Sequence, residues 1–255
     1  MAIDTSKPHL GRIYDFMLGG HHNYEVDRQA AAKILEAAPT YPKWARANRW
    51  FLQFVASEWE QAGRKQVLDL ATGLPTKGHF NDMMPAARIL FTDNDPLSVA
   101  YGGELLAGNP NMRYRLADLN HPETLVAEAE AFFADDRVLA ISCIGIAYLV
   151  PDAVLSAALK ALHAWSAPGS VLGLTFGTYV DGGDRAQMAA AIEAFRRHGN
   201  VSMHIRTTEE LVELAKPWRP TTIRSLPDWL GVPDMFSREE LESQGGSMAG
   251  AFFER

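Results

Sequence analysis

Three aspartates, Asp69, Asp93 and Asp118, each stand at the end of an apolar run, and the stretches between them are long enough to return the chain through a helix. The first run belongs to "QVLDLATGLPTKGHF", where Gln66 to Leu70 break into a loop holding Gly73, Pro75 and Gly78. A buried strand that ends in such a loop delivers the chain to a ligand at the carboxyl edge of a parallel sheet. A phosphate loop needs Lys and then Ser or Thr directly after its second glycine, but Gly78 is followed by His79 and Phe80, and Lys77 comes one place early. A dinucleotide loop needs glycines at positions held here by Ala71, Gly73 and Thr76, so only the middle one is present. A ligand without phosphate asks for less close approach, and S-adenosylmethionine is such a ligand. Asp93, in "LFTDND", can accept from both ribose hydroxyls, and Asp118, in "YRLADLN", from an adenine amino group. Any one of these acids could cap the following helix. Three in register exceed what capping, mononucleotide binding or dinucleotide binding requires. The expected cofactor-binding set is Asp69, Ala71, Gly73, Thr76, Asp93, Asn94, Asp118 and Leu119, with Arg12 joining from the amino-terminal side.

The elements that must carry these residues follow from apolar spacing. Strands are predicted at 66–70, 88–92, 112–117, 138–144 and 170–176, with helices near 96–107, 123–133, 153–165 and 185–198 between them. This alternation predicts an α/β fold with a parallel, doubly wound sheet. Before it, residues 25–60 read as helical, with Val26, Ala30, Ile34 and Leu35 on one stripe and Trp44, Phe51, Val55 and Trp59 on another. The periodicity makes these aromatics core. After Met203 the pattern loosens, but Thr207 with Glu210 and Ser237 with Glu240 form capping boxes, and 221–226 and 248–253 read as late strands.

With 255 residues and 47% hydrophobic content, the chain can bury a sizeable core. Its 24 basic and 31 acidic side chains give a net charge of -7 with no basic run, so nucleic acid is not an expected partner. Cys143 is the sole cysteine, which rules out an internal disulfide or a cysteine-rich zinc site and fits a reducing cytoplasm. The amino-terminal stretch lacks the apolar core of a signal peptide, and no segment is apolar over the roughly 18 residues a membrane helix needs. Sequence leaves the oligomeric state open.

In order along the chain, "DTSKPHLGRIYDFMLGGHHNYEVDR", "ARANRWFL", "LATGLPT", "DNDP" and "VPD" resemble the signature stretches of a bacterial family of S-adenosylmethionine-dependent methyltransferases, formerly a domain of unknown function. The resemblance runs from Asp4 to about Gly169. It implies a class I methyltransferase fold, a Rossmann-like seven-stranded sheet with a reversed last strand. An amino-terminal helical cover (1–60) would precede the cofactor-binding domain (61–255). The chain departs from the family at Ala71, where relatives carry Gly, at His21 and His22, where they carry Lys-Asp, and at Tyr148, where a histidine is common.

Methyl transfer asks the protein for alignment and exclusion of water, with a base only where a proton must leave. Arg12 could pair with the methionine carboxylate of the cofactor, and Tyr14 shares its segment, "GRIYDFMLGG". His21 is a candidate base; no acid or cysteine follows the histidine pair at metal-ligand spacing, so no metal is expected. Ser142, Tyr148 and Tyr179 sit near the ends of the fourth and fifth strands, where the two aromatic faces could steady a sulfonium. "GGSMAG" falls short of a nucleophile elbow, so a serine hydrolase is not expected. The leading expectation is methyl transfer to a small molecule. The alternatives are cyclisation of S-adenosylmethionine to azetidine-2-carboxylate with release of methylthioadenosine, and cofactor binding without turnover.

Overall fold

A computed structural model of the chain describes residues 6–74 and 78–255. Three helices come first: α1 (Leu10–Met17), α2 (Glu25–Ala37) and α3 (Tyr41–Gln61). The alternating part runs β1 (Gln66–Asp69), a short α4 (Phe80–Met83), β2 (Arg88–Asp93), α5 (Pro96–Leu105), β3 (Met112–Leu116), α6 (Pro122–Phe133) and β4 (Ala140–Cys143). A 3-10 turn at Ala147–Leu149 leads into α7 (Asp152–Trp165), β5 (Val171–Tyr179) and α8 (Arg185–His198). The chain closes with α9 (Thr208–Ala215), β6 (Arg219–Ser225), α10 (Leu226–Trp229), α11 (Arg238–Gln244) and β7 (Gly246–Glu254). Every expected strand is present, and both capping boxes form, opening α9 and α11.

The sheet has seven strands in the order β3-β2-β1-β4-β5-β7-β6. β1 pairs in parallel with β2 and β4, and β7 runs antiparallel between β5 and β6. The order reverses between β1 and β4, the place where an open α/β sheet parts to admit a ligand. On one face α6, α7 and α9 bury Leu125, Phe133, Leu159, Leu162 and Leu211 against Leu68, Ile141 and Leu174. On the other, α3 lays Trp44, Phe51, Val55 and Trp59 on the sheet. Its close seat depends on Gly250 of β7, where any side chain would run into the Phe51 ring. α1 and α2 pack with Tyr41 and Ala45 of α3 and Phe195 of α8 in a third cluster, so α3 joins the cover to the sheet. No helix among the described residues is long and apolar enough to cross a membrane.

Candidate functional site

The carboxyl ends of β1, β2, β3 and β4 open into a cavity of ≈ 410 Å³, roofed by α1 and the first turns of α3. Its floor carries Asp69, Ala71, Gly73, Asp93, Asn94, Asp118 and Leu119, which brings together all the expected cofactor-binding positions except Arg12 and Thr76. Thr76 lies outside the described residues.

Asp93 fixes the β1 loop. Its Oδ2 accepts from Gly73 N (2.7 Å) and its Oδ1 from Asp95 N (2.8 Å). The Tyr114 hydroxyl, from β3, pins the same loop by donating to the Gly73 carbonyl (2.5 Å). Capping of α5 falls to Asp95, which accepts from Leu97 N (3.1 Å) and Ser98 N (3.3 Å). Asp118 is also free of helix duty: its Oδ1 accepts from Asn120 N (3.0 Å) and Nδ2 (2.8 Å), while His121 precedes α6. Each carboxylate oxygen has two lone pairs, so both acids retain acceptor capacity toward a ligand. Burial pushes the Asp93 carboxyl above its ordinary pKa, against the backbone N–H groups of Asp95 and Gly73.

Asp69 is 2% exposed, and burial raises its pKa to about 7; the Ser142 and Thr72 hydroxyls and the Arg49 charge oppose that rise. Thr72 Oγ1 donates to Asp69 Oδ2 (2.7 Å), and His79 Nε2 stands 3.7 Å from the same oxygen. His79 Nδ1 accepts from Phe80 N (3.0 Å), which assigns the ring proton to Nε2, facing Asp69. Burial, then the Arg49 charge, hold the His79 pKa well below its ordinary value, so the ring is neutral.

On the roof, Tyr14 donates its hydroxyl to the Ala45 carbonyl (2.9 Å), and Tyr41 and Tyr148 bring their hydroxyls within 3.5 Å of one another. Burial raises the pKa of all three phenols, which remain protonated. Arg49 also lines the cavity, yet it makes no hydrogen bond or ion pair among the described residues, and its Nη1 is buried without a partner. A cation without a partner on a cavity wall has hydrogen-bonding capacity to offer an anionic group.

Arg49, Asn48, Tyr41 and His79 were not among the expected site residues. Arg49 and Asn48 lie inside "ARANRWFL", a signature stretch, so position in the sequence could have flagged them. Nothing in the sequence shows that Arg49 lacks a partner.

Four expected residues stand elsewhere. Arg12 is buried in a pair with Asp27, Nε to Oδ2 2.8 Å, and donates from Nη2 to the Lys7 carbonyl (2.6 Å), so its guanidinium is already committed. His21 is exposed in the turn after α1 and is absent from the cavity wall. Ser142 is fully buried on β4, in register with Asp69, and lies behind that acid rather than on the wall. Tyr179 is displaced because β5 continues past Phe176, pairing Tyr179 with Gly246 of β7, and the Arg185 guanidinium covers its ring at 3.7 Å. Tyr14 and Tyr148 do line the cavity.

Comparison with known proteins agrees with this architecture. A methyltransferase candidate from Thermobifida fusca YX superimposes with a TM-score of 0.84 at 29% identity, over 99% of this chain and 96% of that one. A DUF574 family protein from Streptomyces avermitilis gives 0.85 at 26% identity, over 100% of both chains. Geranyl diphosphate C-methyltransferase from Streptomyces coelicolor A3(2), solved with S-adenosyl-L-homocysteine, shares the fold at a TM-score of 0.53 and 12% identity, over 82% of this chain and 80% of that one. No curated protein matches the sequence. The profile of the S-adenosyl methyltransferase family matches residues 1–218, which takes in the helical roof and all four strand ends around the cavity. On that match the chain belongs to the S-adenosyl methyltransferase family, a class I fold with S-adenosylmethionine as its cofactor.

Proposed function

We propose that this protein moves the methyl group of S-adenosylmethionine to a small-molecule acceptor held beneath α1 and α3. One observation carries the reading: the cavity sets free acceptor capacity at the β2 and β3 ends against an unpaired arginine on the opposite roof. Asp93 takes the ribose hydroxyls and Asp118 the adenine amino group, with Asn94 and Leu119 beside them. Arg49 takes the methionine carboxylate, the task expected of Arg12. Bound there, the cofactor supplies a methyl group already activated by its sulfonium. Tyr14 and Tyr148 offer ring faces and hydroxyl dipoles to that centre and, being protonated, act as no base. α1 and α3 exclude water.

Cyclisation of S-adenosylmethionine would need an aromatic face at the sulfonium and no room for an acceptor. Tyr179, part of the case for it, has its ring on Arg185. Incubation of the protein with S-adenosylmethionine alone, resolved by mass spectrometry, separates the two readings. Methyl transfer predicts no methylthioadenosine above the spontaneous rate, whereas equal amounts of methylthioadenosine and azetidine-2-carboxylate would replace it with cyclisation. In calorimetry Asp93→Ala should weaken cofactor affinity by about 1.5–3 kcal/mol, the range for hydrogen bonds to a charged group. Unchanged affinity in a folded variant would overturn the ribose assignment.

A further inference from the structure

Beside the main cavity lies a smaller recess of ≈ 60 Å³, between the end of α2, α8 and the start of β7. Ala38, Met188, Ala191, Met203, Ile205 and Met248 give it an apolar wall. Three of the polar side chains on it, Thr40, Trp44 and Gln244, are engaged with one another. Thr40 Oγ1 donates to Gln244 Oε1, Trp44 Nε1 donates to the same oxygen (3.3 Å), and Gln244 Nε2 donates to the Gly246 carbonyl (2.9 Å). Such a lining receives hydrocarbon without stranding a polar atom, and its three methionines can repack around the shape that enters.

Tyr41 and Tyr148 line both cavities and so form the partition between them. Their hydroxyls, 3.5 Å apart, are well beyond the usual O–H···O separation of about 2.7–2.8 Å, so either can turn toward a heteroatom placed between them. Asn48 stands at the same partition. It is 1% exposed and donates from Nδ2 to Met248 Sδ (3.4 Å), while its Oδ1 has no donor. A buried amide oxygen without a donor is unfavourable, and a ligand N–H or O–H would relieve it.

We infer that the methyl acceptor is a small aliphatic amine whose tail fills the side chamber and whose nitrogen sits at the Tyr41–Tyr148 partition, one N–H on Asn48 Oδ1. The inference rests on the methyl-transfer reading and names its substrate class. Size sets the tail: a cavity of about 150 Å³ holds the six carbons of benzene, so ≈ 60 Å³ takes about two or three aliphatic carbons and no ring, which suits an isopropyl end with its CH₂ at the partition. The surrounding chemistry selects the nucleophile. Among the described residues no carboxylate or imidazole lines the chamber and the phenols at the partition are protonated, so nothing there takes the proton an alcohol would lose, whereas a neutral amine attacks with its own lone pair. As the N–C bond forms, the C–S bond breaks and its electron pair goes to sulfur, leaving S-adenosylhomocysteine. The positive charge passes to nitrogen, and the methylated ammonium loses its proton to water after release.

The test uses the full chain saturated with S-adenosylhomocysteine, at about pH 9 so that part of each amine is neutral. Isobutylamine, benzylamine and isobutanol are compared by saturation-transfer NMR, and then with S-adenosylmethionine for methylated product by mass spectrometry. Isobutylamine should bind and be methylated, benzylamine at least tenfold less well, and isobutanol should remain unmethylated. Ala191→Leu, which fills the chamber, should cut isobutylamine binding at least tenfold while the affinity for S-adenosylhomocysteine and the melting temperature hold; Met203→Phe fills it from another wall should the first variant fold poorly. Cofactor binding without isobutylamine binding would overturn the inference. So would benzylamine equal to isobutylamine, methylated isobutanol, or filled variants that bind isobutylamine normally. Failure to bind S-adenosylhomocysteine would overturn the underlying reading of the main cavity instead.

Discussion

Two arginines of the amino-terminal region make opposite predictions, and the pair tests the assignment of the carboxylate site. Arg49 has no hydrogen bond or ion pair among the described residues, and its Nη1 is buried without a partner. Arg49→Met therefore breaks no hydrogen bond or ion pair of the unliganded fold and removes only the charge felt by Asp69 and His79, so the melting temperature should stay close to the parent's. Binding should suffer, because a charge-assisted contact to the methionine carboxylate is worth about 1.5–3 kcal/mol, or about 10- to 150-fold in affinity. Arg12→Met should do the reverse. It leaves Asp27, whose side chain is 0% exposed, with the backbone N–H groups of His9 and Tyr24 but no countercharge, and breaking a buried pair on one side costs about 3–5 kcal/mol of stability. The folded fraction of that variant should bind cofactor within a few-fold of the parent. Calorimetry with S-adenosylhomocysteine, a melting curve and a parallel titration with adenosine give the readout. Adenosine lacks the methionine portion, so Arg49→Met should leave its affinity unchanged. An equal loss for adenosine and S-adenosylhomocysteine, or no loss for either, would refute the carboxylate role of Arg49.

Two further outcomes concern the first loop. With its pKa raised to about 7 in the folded chain, against about 3.9 unfolded, Asp69 holds a proton that the unfolded chain releases. Its stabilising contribution is complete below about pH 4 and is lost as pH climbs to about 7, so Asp69→Asn should flatten that part of a stability profile measured by urea unfolding; an unaltered slope would locate the titration elsewhere. Ala71 adopts a φ of 49°, a left-handed conformation costing a side-chain-bearing residue roughly 1–2 kcal/mol. Ala71→Gly relieves this but frees the unfolded chain by about 0.4–1 kcal/mol, so the melting temperature should rise by a few degrees at most, and a fall would show that the methyl packs more favourably than the strain costs.

The sheet was legible because its central strands are buried on both faces and therefore read as unbroken apolar runs, Val67–Leu68 and Ile89–Phe91 among them. The acids at their ends were legible for the same reason: a charged residue closing such a run marks a carboxyl edge. The side chains that enter from the cover were harder to read. Arg12 and Arg49 look alike in sequence, and what separates them is Asp27, at the start of α2, which comes into reach only when α1 folds back on α2. Tyr179 was misplaced by the length of one strand. β7, a late and weakly patterned element, extends β5 beyond Phe176 and carries the tyrosine away from the cavity. His79 gave no signal, since a neutral buried histidine differs from an exposed one only through its neighbours.

The seat of Phe51 on Gly250 has a bearing on the order in which the molecule is completed. α3 carries Asn48 and Arg49 on the roof and Phe51 on the sheet, and both ends of that arrangement rest on β7: Phe51 against Gly250, and Asn48 Nδ2 on Met248 Sδ. β7 is also the strand inserted between β5 and β6, so the sheet cannot close until it arrives. Contacts between residues so distant along the chain form late, after the loop closures that oppose them. A nascent chain extending only through α11 would hold the strand-end acids while lacking the support that fixes Arg49 above them. The roof that carries Asn48 and Arg49 is thus fastened from the far end of the sheet, and the carboxylate contact proposed for Arg49 depends on β7 having docked.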